Sequence, residues 1–101
     1  MDTKTDRELI ELAAKAAGVE VEFDADSDPH IDEPIGVFSG LWNPLRDDGD
    51  AFRLAVDLNL FGTPDLNHYL SVLSFIRGYD KYTLMRRAIV MAAAKIGEGM
   101  E

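Results

Sequence analysis

The stretch "DKYTLMRRAIVMAAAKIG", residues 80–97, constrains this chain more than any other. It predicts a helix over about 81–96. Met85, Ile89, Ala92 and Ile96 form one apolar stripe, and Leu84, Ala88 and Met91 widen it. A helix that is apolar over most of its circumference must be covered on several sides, so it belongs deep in the molecule. Its paired arginines, Arg86 and Arg87, either hold acidic groups from elsewhere in the fold or face solvent.

The covering elements must come from the other eighty or so residues. With 101 residues the chain fits one domain, 1–101, able to bury roughly 65% of its unfolded surface. Near the N-terminus, "TKTDRELIELAAKAAGV" reads as a helix. Thr5 and Glu8 have capping-box spacing, and Leu9, Leu12, Ala13 and Ala16 lie on one face. Glu11 and Lys15 are spaced as an i,i+4 pair, and Gly18 suits the left-handed turn after the last residue. Val19, Val21 and Phe23 then alternate with Glu20 and Glu22, which predicts a half-buried strand over 19–23.

Charge is distributed very unevenly. Residues 20–50 hold ten Asp/Glu and one Arg, and the remainder holds nine of each sign, so the whole net charge of −9 sits in that segment. Such a surface disfavours nucleic acid and anionic lipid, whose binding relies on Lys and Arg neutralising phosphates. It suits a basic partner, or serves simply to solubilise. The run "DADSDPHIDEP", 24–34, reads as an acidic loop, with two prolines in eleven residues. Asp24, Asp26 and Asp28 match the first ligand positions of an EF-hand. Pro29 then replaces the required glycine, and Ile35 stands where the bidentate glutamate belongs. No metal or cofactor is expected.

"IGVFSGLW", 35–42, carries apolar groups on both faces and predicts a second strand. Asn43-Pro44 ends it, Asp47 or Asp48 can cap the next helix, and Asp50 lies in that helix's positive first turn. Ala51, Leu54, Ala55 and Leu58 form its buried stripe, with Arg53 and Asp57 paired outside. Trp42, Asn43, Asp47 and Asp48 thus have structural duties. They are also the candidate lining of a small-ligand pocket at the start of this middle helix. Residues 59–79 point both ways. Thr63, Pro64 and Gly78 are helix start and stop signals, and Leu66, Tyr69, Leu70 and Leu73 fit a helical stripe. Yet His68–Ile76 is rich in aromatic and branched residues that suit a strand.

"LWNPLRDDGDAFRLAV" followed by "RRAIVMAAAKIG" resembles a group of small phage and prophage proteins with W-N-P-L and R-A-I-V-x-A-A motifs. The likeness covers residues 5–18, 40–60 and 84–97, about half of the chain. It implies an αβα sandwich and turns the expectation for 66–76 toward strand. It brings no catalytic residue. The resulting expectation is an α+β domain: three helices around a small, mainly antiparallel sheet with strands near 19–23, 35–42 and 66–76.

Catalysis finds little support. There is no cysteine and no nucleophile-elbow pattern or phosphate loop, and His30 and His68 share no local motif. No apolar run reaches the roughly 20 residues of a membrane span, and "MDTKTDRELIEL" lacks a signal-peptide core. The reading is a cytoplasmic, non-enzymatic phage accessory protein that binds a host or phage protein. Its acidic face would be Asp24, Asp26, Asp28, Asp32 and Glu33, and its boldest form is mimicry of DNA by carboxylates. The alternative is the small-ligand module near Trp42.

Overall fold

The computed structural model describes residues 4–23, 29–31 and 40–100. Four helices carry the fold: α1 (Asp6–Ala17), α2 (Asp48–Asp57), α3 (Pro64–Leu73) and α4 (Lys81–Glu98). Each begins with a side chain that accepts a free backbone N–H of the first turn, which leaves fewer unpaired donors at the helix start. Thr5 does so for α1 and completes a capping box with Glu8. Asp47 caps α2, Thr63 caps α3 with Pro64 in its first turn, and Asp80 caps α4. Gly18 ends α1 at φ 74°, where a side chain would be strained.

Helix α4 is the centre. Seven of its residues are buried: Ala88, Ile89, Val90, Ala92, Ala93, Ala94 and Gly97. Helices α1, α2 and α3 all pack against it, and α1 does so most extensively. The buried face is shifted from the expected stripe, since Met85 and Ile96 are largely exposed while Val90 and the alanines are covered. Small side chains explain the shift, because they let neighbouring backbones come close. At Gly97 the approach is extreme: a Cβ there would overlap the carbonyl oxygen of Leu12 in α1. One core cluster joins Leu9, Ile10, Trp42, Leu54, Leu60 and Leu66 to α4.

This arrangement overturns the expected α+β sandwich. The described residues form a small helical globule of four helices, and the expected strand over 66–76 falls largely within the helix α3. Its capping threonine and first-turn proline nucleate a helix, and Leu66, Tyr69, Leu70 and Leu73 then meet the core on one face. The branched residues that favoured a strand, Val72 and Ile76, lie mostly outside that face and are exposed. Among the described residues, extended pairing is confined to a ribbon of β1 (Val21–Phe23), β2 (Pro29–Ile31) and β3 (Gly40–Leu41). It runs antiparallel in the order β1-β2-β3, with Val21 opposite Ile31 and His30 opposite Leu41. Strands of two or three residues build no layer against which helices could be sandwiched. Most of the expected strand 35–42 lies outside the described residues, and Trp42 follows β3 rather than belonging to it.

Ion pairs tie the helices together. Arg87 reaches Asp6 at 3.0 Å, and Lys4 reaches Glu98 at 2.8 Å, so both close the α1–α4 seam. Glu11 is paired with Arg7 at 3.2 Å, while Lys15 donates to the Met100 carbonyl at 2.7 Å, in place of the expected Glu11–Lys15 pair. Among the described residues no helix is long and apolar enough to cross a membrane.

Two outcomes follow from the helix packing and capping. Gly97→Ala should destabilise the protein by about 1–3 kcal/mol, because the methyl group forces α1 and α4 apart. Helix propensity alone predicts the opposite sign, since alanine is the better helix former. Denaturant melts of the two proteins decide between them. The second outcome concerns Asp80, whose carboxyl is held below its ordinary 3.8 chiefly by the Thr83 backbone N–H and then the Thr83 hydroxyl. A depressed folded pKa stabilises the fold fully above the unfolded value of about 3.9, and the benefit is lost as pH falls through the folded value. Asp80→Ala should therefore lower Tm at pH 7, and the gap to the parent should close as acid protonates the cap.

Candidate functional site

The residues around the Asn-Pro break form a closed unit. Asn43 makes an Asx turn: its Oδ1 accepts the Leu45 N–H at 3.1 Å, and its carbonyl accepts the Arg46 and Asp47 N–H groups. Pro44 is fully buried and Trp42 is 8% exposed, both within the core. Asp47 accepts the Asp50 N–H at 2.9 Å. Asp50 is itself buried, and its carboxylate accepts the Asn43 N–H at 3.0 Å and an Arg53 N–H at 3.1 Å. Among the described residues no buried side-chain nitrogen or oxygen lacks a partner, and the Asp50 carboxylate has two, as a buried carboxylate requires.

Arg86 of α4 binds this unit from the outside. It donates to the Leu45 carbonyl at 3.0 Å, to Asp48 Oδ1 at 2.6 Å and to the Thr83 hydroxyl at 3.1 Å. The W-N-P-L stretch and the R-A-I-V helix, separate in sequence, therefore meet through one guanidinium. A planar fork with several donors can join a carbonyl to a carboxylate in a way that a lysine cannot.

Beside that clamp three aromatic side chains are left exposed. A cleft of about 340 Å³ opens between α2 and the first turns of α4. Phe52 of α2, Phe61 of the α2–α3 connection, and Tyr82 and Met85 of α4 form its walls, with Ala51 and Ile89 beneath and Asp48 and Arg86 at its rim. Phe52 is 59% exposed, Phe61 51% and Tyr82 59%. The two phenylalanine rings are 5.8 Å apart and tilted by 46°, and Lys81 places its ammonium 5.3 Å from the Tyr82 ring centre. Burying a single such side chain is worth about 1.5–3 kcal/mol, so leaving three outside is a cost unless something covers them.

Of the residues expected at a site, only Asp48 lines this cleft. Trp42 is a core residue, Asn43 shapes the turn and Asp47 is a helix cap. Asp24, Asp26, Asp28, Asp32 and Glu33 lie outside the described residues. Among the described residues no group of three or more His, Asp or Glu could hold a metal ion. The phenylalanines and Tyr82 escaped sequence reading, although a signal existed. Phe52 and Val56 fall on the side of α2 opposite its Ala51/Leu54/Ala55 stripe, where polar residues are expected.

No family model, curated protein or solved structure matches this chain. The likeness to the phage proteins therefore rests on the quoted motifs themselves.

Replacing Trp42 by alanine should cost about 3–5 kcal/mol, because the void lies where the turn meets the core. A Tm within a degree or two of the parent would contradict the burial.

Proposed function

We propose that the protein is a phage or prophage accessory protein that acts in the host cytoplasm by binding another protein and catalyses no reaction. The observation that carries this reading is the open aromatic cleft between α2 and α4. Its walls are apolar and its floor belongs to the core, as in grooves that receive an amphipathic helix. The occupant that fits best is a basic, amphipathic segment of a host or phage protein. Apolar side chains at helical spacing would enter the cleft, and cationic flanks would meet the field of residues 20–50, which hold all the excess negative charge.

DNA mimicry would use Asp24, Asp26, Asp28, Asp32 and Glu33, which lie outside the described residues; the acids at the start of α2 have roles within the fold instead, Asp47 as a cap, Asp48 paired with Arg86 and Asp50 with Arg53 and a backbone N–H. The small-ligand reading placed its pocket near Trp42, and Trp42 does not line the cleft.

The test is titration of the labelled protein with a synthetic helix carrying Leu at i, i+3, i+4 and i+7 and Lys elsewhere. Chemical-shift changes should centre on Phe52, Phe61 and Tyr82. Phe52→Glu should weaken binding at least tenfold, as loss of a hot-spot aromatic does, while shifting stability by under about 1 kcal/mol because the ring is exposed. Neutralising Asp24, Asp26, Asp28, Asp32 and Glu33 takes the net charge from −9 to −4 and should slow association and flatten its salt dependence. Binding that ignores Phe52→Glu, or shifts mapping to another face, would refute the cleft as the contact.

A further inference from the structure

A groove of about 460 Å³ lies where α1, α3 and α4 meet. Leu9, Val72, Leu73, Ile76, Met91 and Ala94 give it apolar walls, and Tyr69 and Tyr79 add two phenol rings. Val72 is 44% exposed and Ile76 47%, so part of these walls is left uncovered. The size falls among small-ligand sites, which span roughly 300–1,000 Å³. Its charge is the reverse of the chain's. Lys4 and Arg87 line it against the single acid Glu98, a net of +1, and no described residue of the acidic segment 20–50 contributes.

Both cations are already paired, Arg87 with Asp6 at 3.0 Å and Lys4 with Glu98 at 2.8 Å. In each pair the cation is the more enclosed member. Side-chain exposure is 24% for Arg87 against 67% for Asp6, and 22% for Lys4 against 48% for Glu98. Positive charge held beside apolar walls is screened less than negative charge standing out in water. Arg87 also lies over the Tyr79 ring, 6.0 Å from its centre, and Tyr79 is itself a wall of the groove. A guanidinium carries five N–H donors in a planar fork, and the contact with Asp6 runs from Nη1 alone, so the fork has donors for a second carboxylate.

We infer that this groove binds an amphiphilic carboxylate: a single alkyl chain on the Val72, Ile76 and Met91 walls, with its one anionic head at Arg87. The walls select the tail, and the two cations select the sign of the head. A basic segment, the occupant proposed for the cleft between α2 and α4, would meet Lys4 and Arg87 here and be repelled.

The inference stands apart from the cleft reading, which uses a different surface, and the two fail separately. The probes are octanoate, octanol and octyltrimethylammonium, each titrated to about 3 mM into the isotope-labelled protein at about pH 8, where the carboxylate is ionised. Met91 methyl and Tyr79 ring signals should move. Octanoate should bind at least about tenfold tighter than the ammonium, with octanol between them, as a charge-assisted contact requires. From hexanoate to octanoate, affinity should rise by up to about fourfold per methylene buried. Arg87→Gln should weaken octanoate about tenfold and octanol less than about twofold. Because Arg87 also closes the α1–α4 seam, Val72→Asp supplies a second reading at an exposed position. It should weaken octanoate at least about tenfold with little change in the melt. Phe52→Glu should leave octanoate binding unchanged, and vesicles of phosphatidylglycerol should not retain the protein. Equal affinity for the three head groups, signals that move around Phe52 instead, octanoate binding indifferent to Val72→Asp, or retention by the vesicles overturns the assignment.

Discussion

The backbone of α4 at Gly97 lies against the backbone of α1 at Leu12, and much of the molecule follows from that closeness. No side chain separates the two helices there, and the buried alanines of both helices extend the close fit. Close contact between small residues gives little hydrophobic area per residue but dense packing, and dispersion energy is gained only at such short range. The arrangement also frees the rest of α4. With α1 occupying little space, α2 and α3 find room on the remaining faces of the same helix. Larger side chains are placed where the elements diverge: Leu60 in the α2–α3 connection, Trp42 ahead of α2 and Leu66 in α3. The ion pairs Arg87–Asp6 and Lys4–Glu98 then close the edges of the seam. They are partly exposed, and pairs of this kind each add little to stability, so they fix orientation more than they hold the helices together.

Local chemistry was the most legible level of the sequence. The Thr5/Glu8 capping box, the left-handed Gly18, the Asp cap of α2 and the Thr63-Pro64 start of α3 are all set by residues within a turn of one another. The central position of α4 was legible for the same reason that its exact face was not. A run of alanines declares burial but not direction, because alanine is neutral between faces, and only the partner at Leu12 picks the side. Residues 66–76 misled through the reverse effect. Their side chains suit a strand, yet a capped start and four leucine or tyrosine positions in helical register decide the outcome. Tertiary packing chose the face that reaches α4 and left Val72 and Phe75 outside. The likeness to the phage proteins pointed toward a strand at 66–76, a stretch its motifs do not cover.

At the beginning of α2 the carboxylates are structural parts, as their positions before and within the first turn of the helix predicted. Asp47 satisfies a helix donor, Asp50 satisfies a turn donor from within the core, and Asp48 fastens Arg86. Among the aromatic residues, Phe52 stands opposite the buried stripe of α2, which marks it as exposed, whereas nothing in the sequence marks Phe61 and Tyr82 as rings that the fold will leave uncovered.

Those two features belong to one device. Arg86 is part of the cleft rim and at the same time the clamp on the turn that launches α2, so the cleft's two walls are fixed to each other by its guanidinium. An open aromatic groove with mobile walls would collapse on itself to hide its rings, since closing would gain apolar burial at the cost of some freedom. Here closure is resisted. The α2 wall is held by the Asn43 turn and the Leu45 carbonyl, and the α4 wall is the start of a helix anchored in the core from Ala88 onward. A groove kept open in this way spends little ordering entropy when something enters it, and a preorganised surface binds more tightly than its area alone would give. The clamp made by the W-N-P-L turn and the R-A-I-V helix is thus both a fold determinant and the condition for leaving three aromatic rings in water.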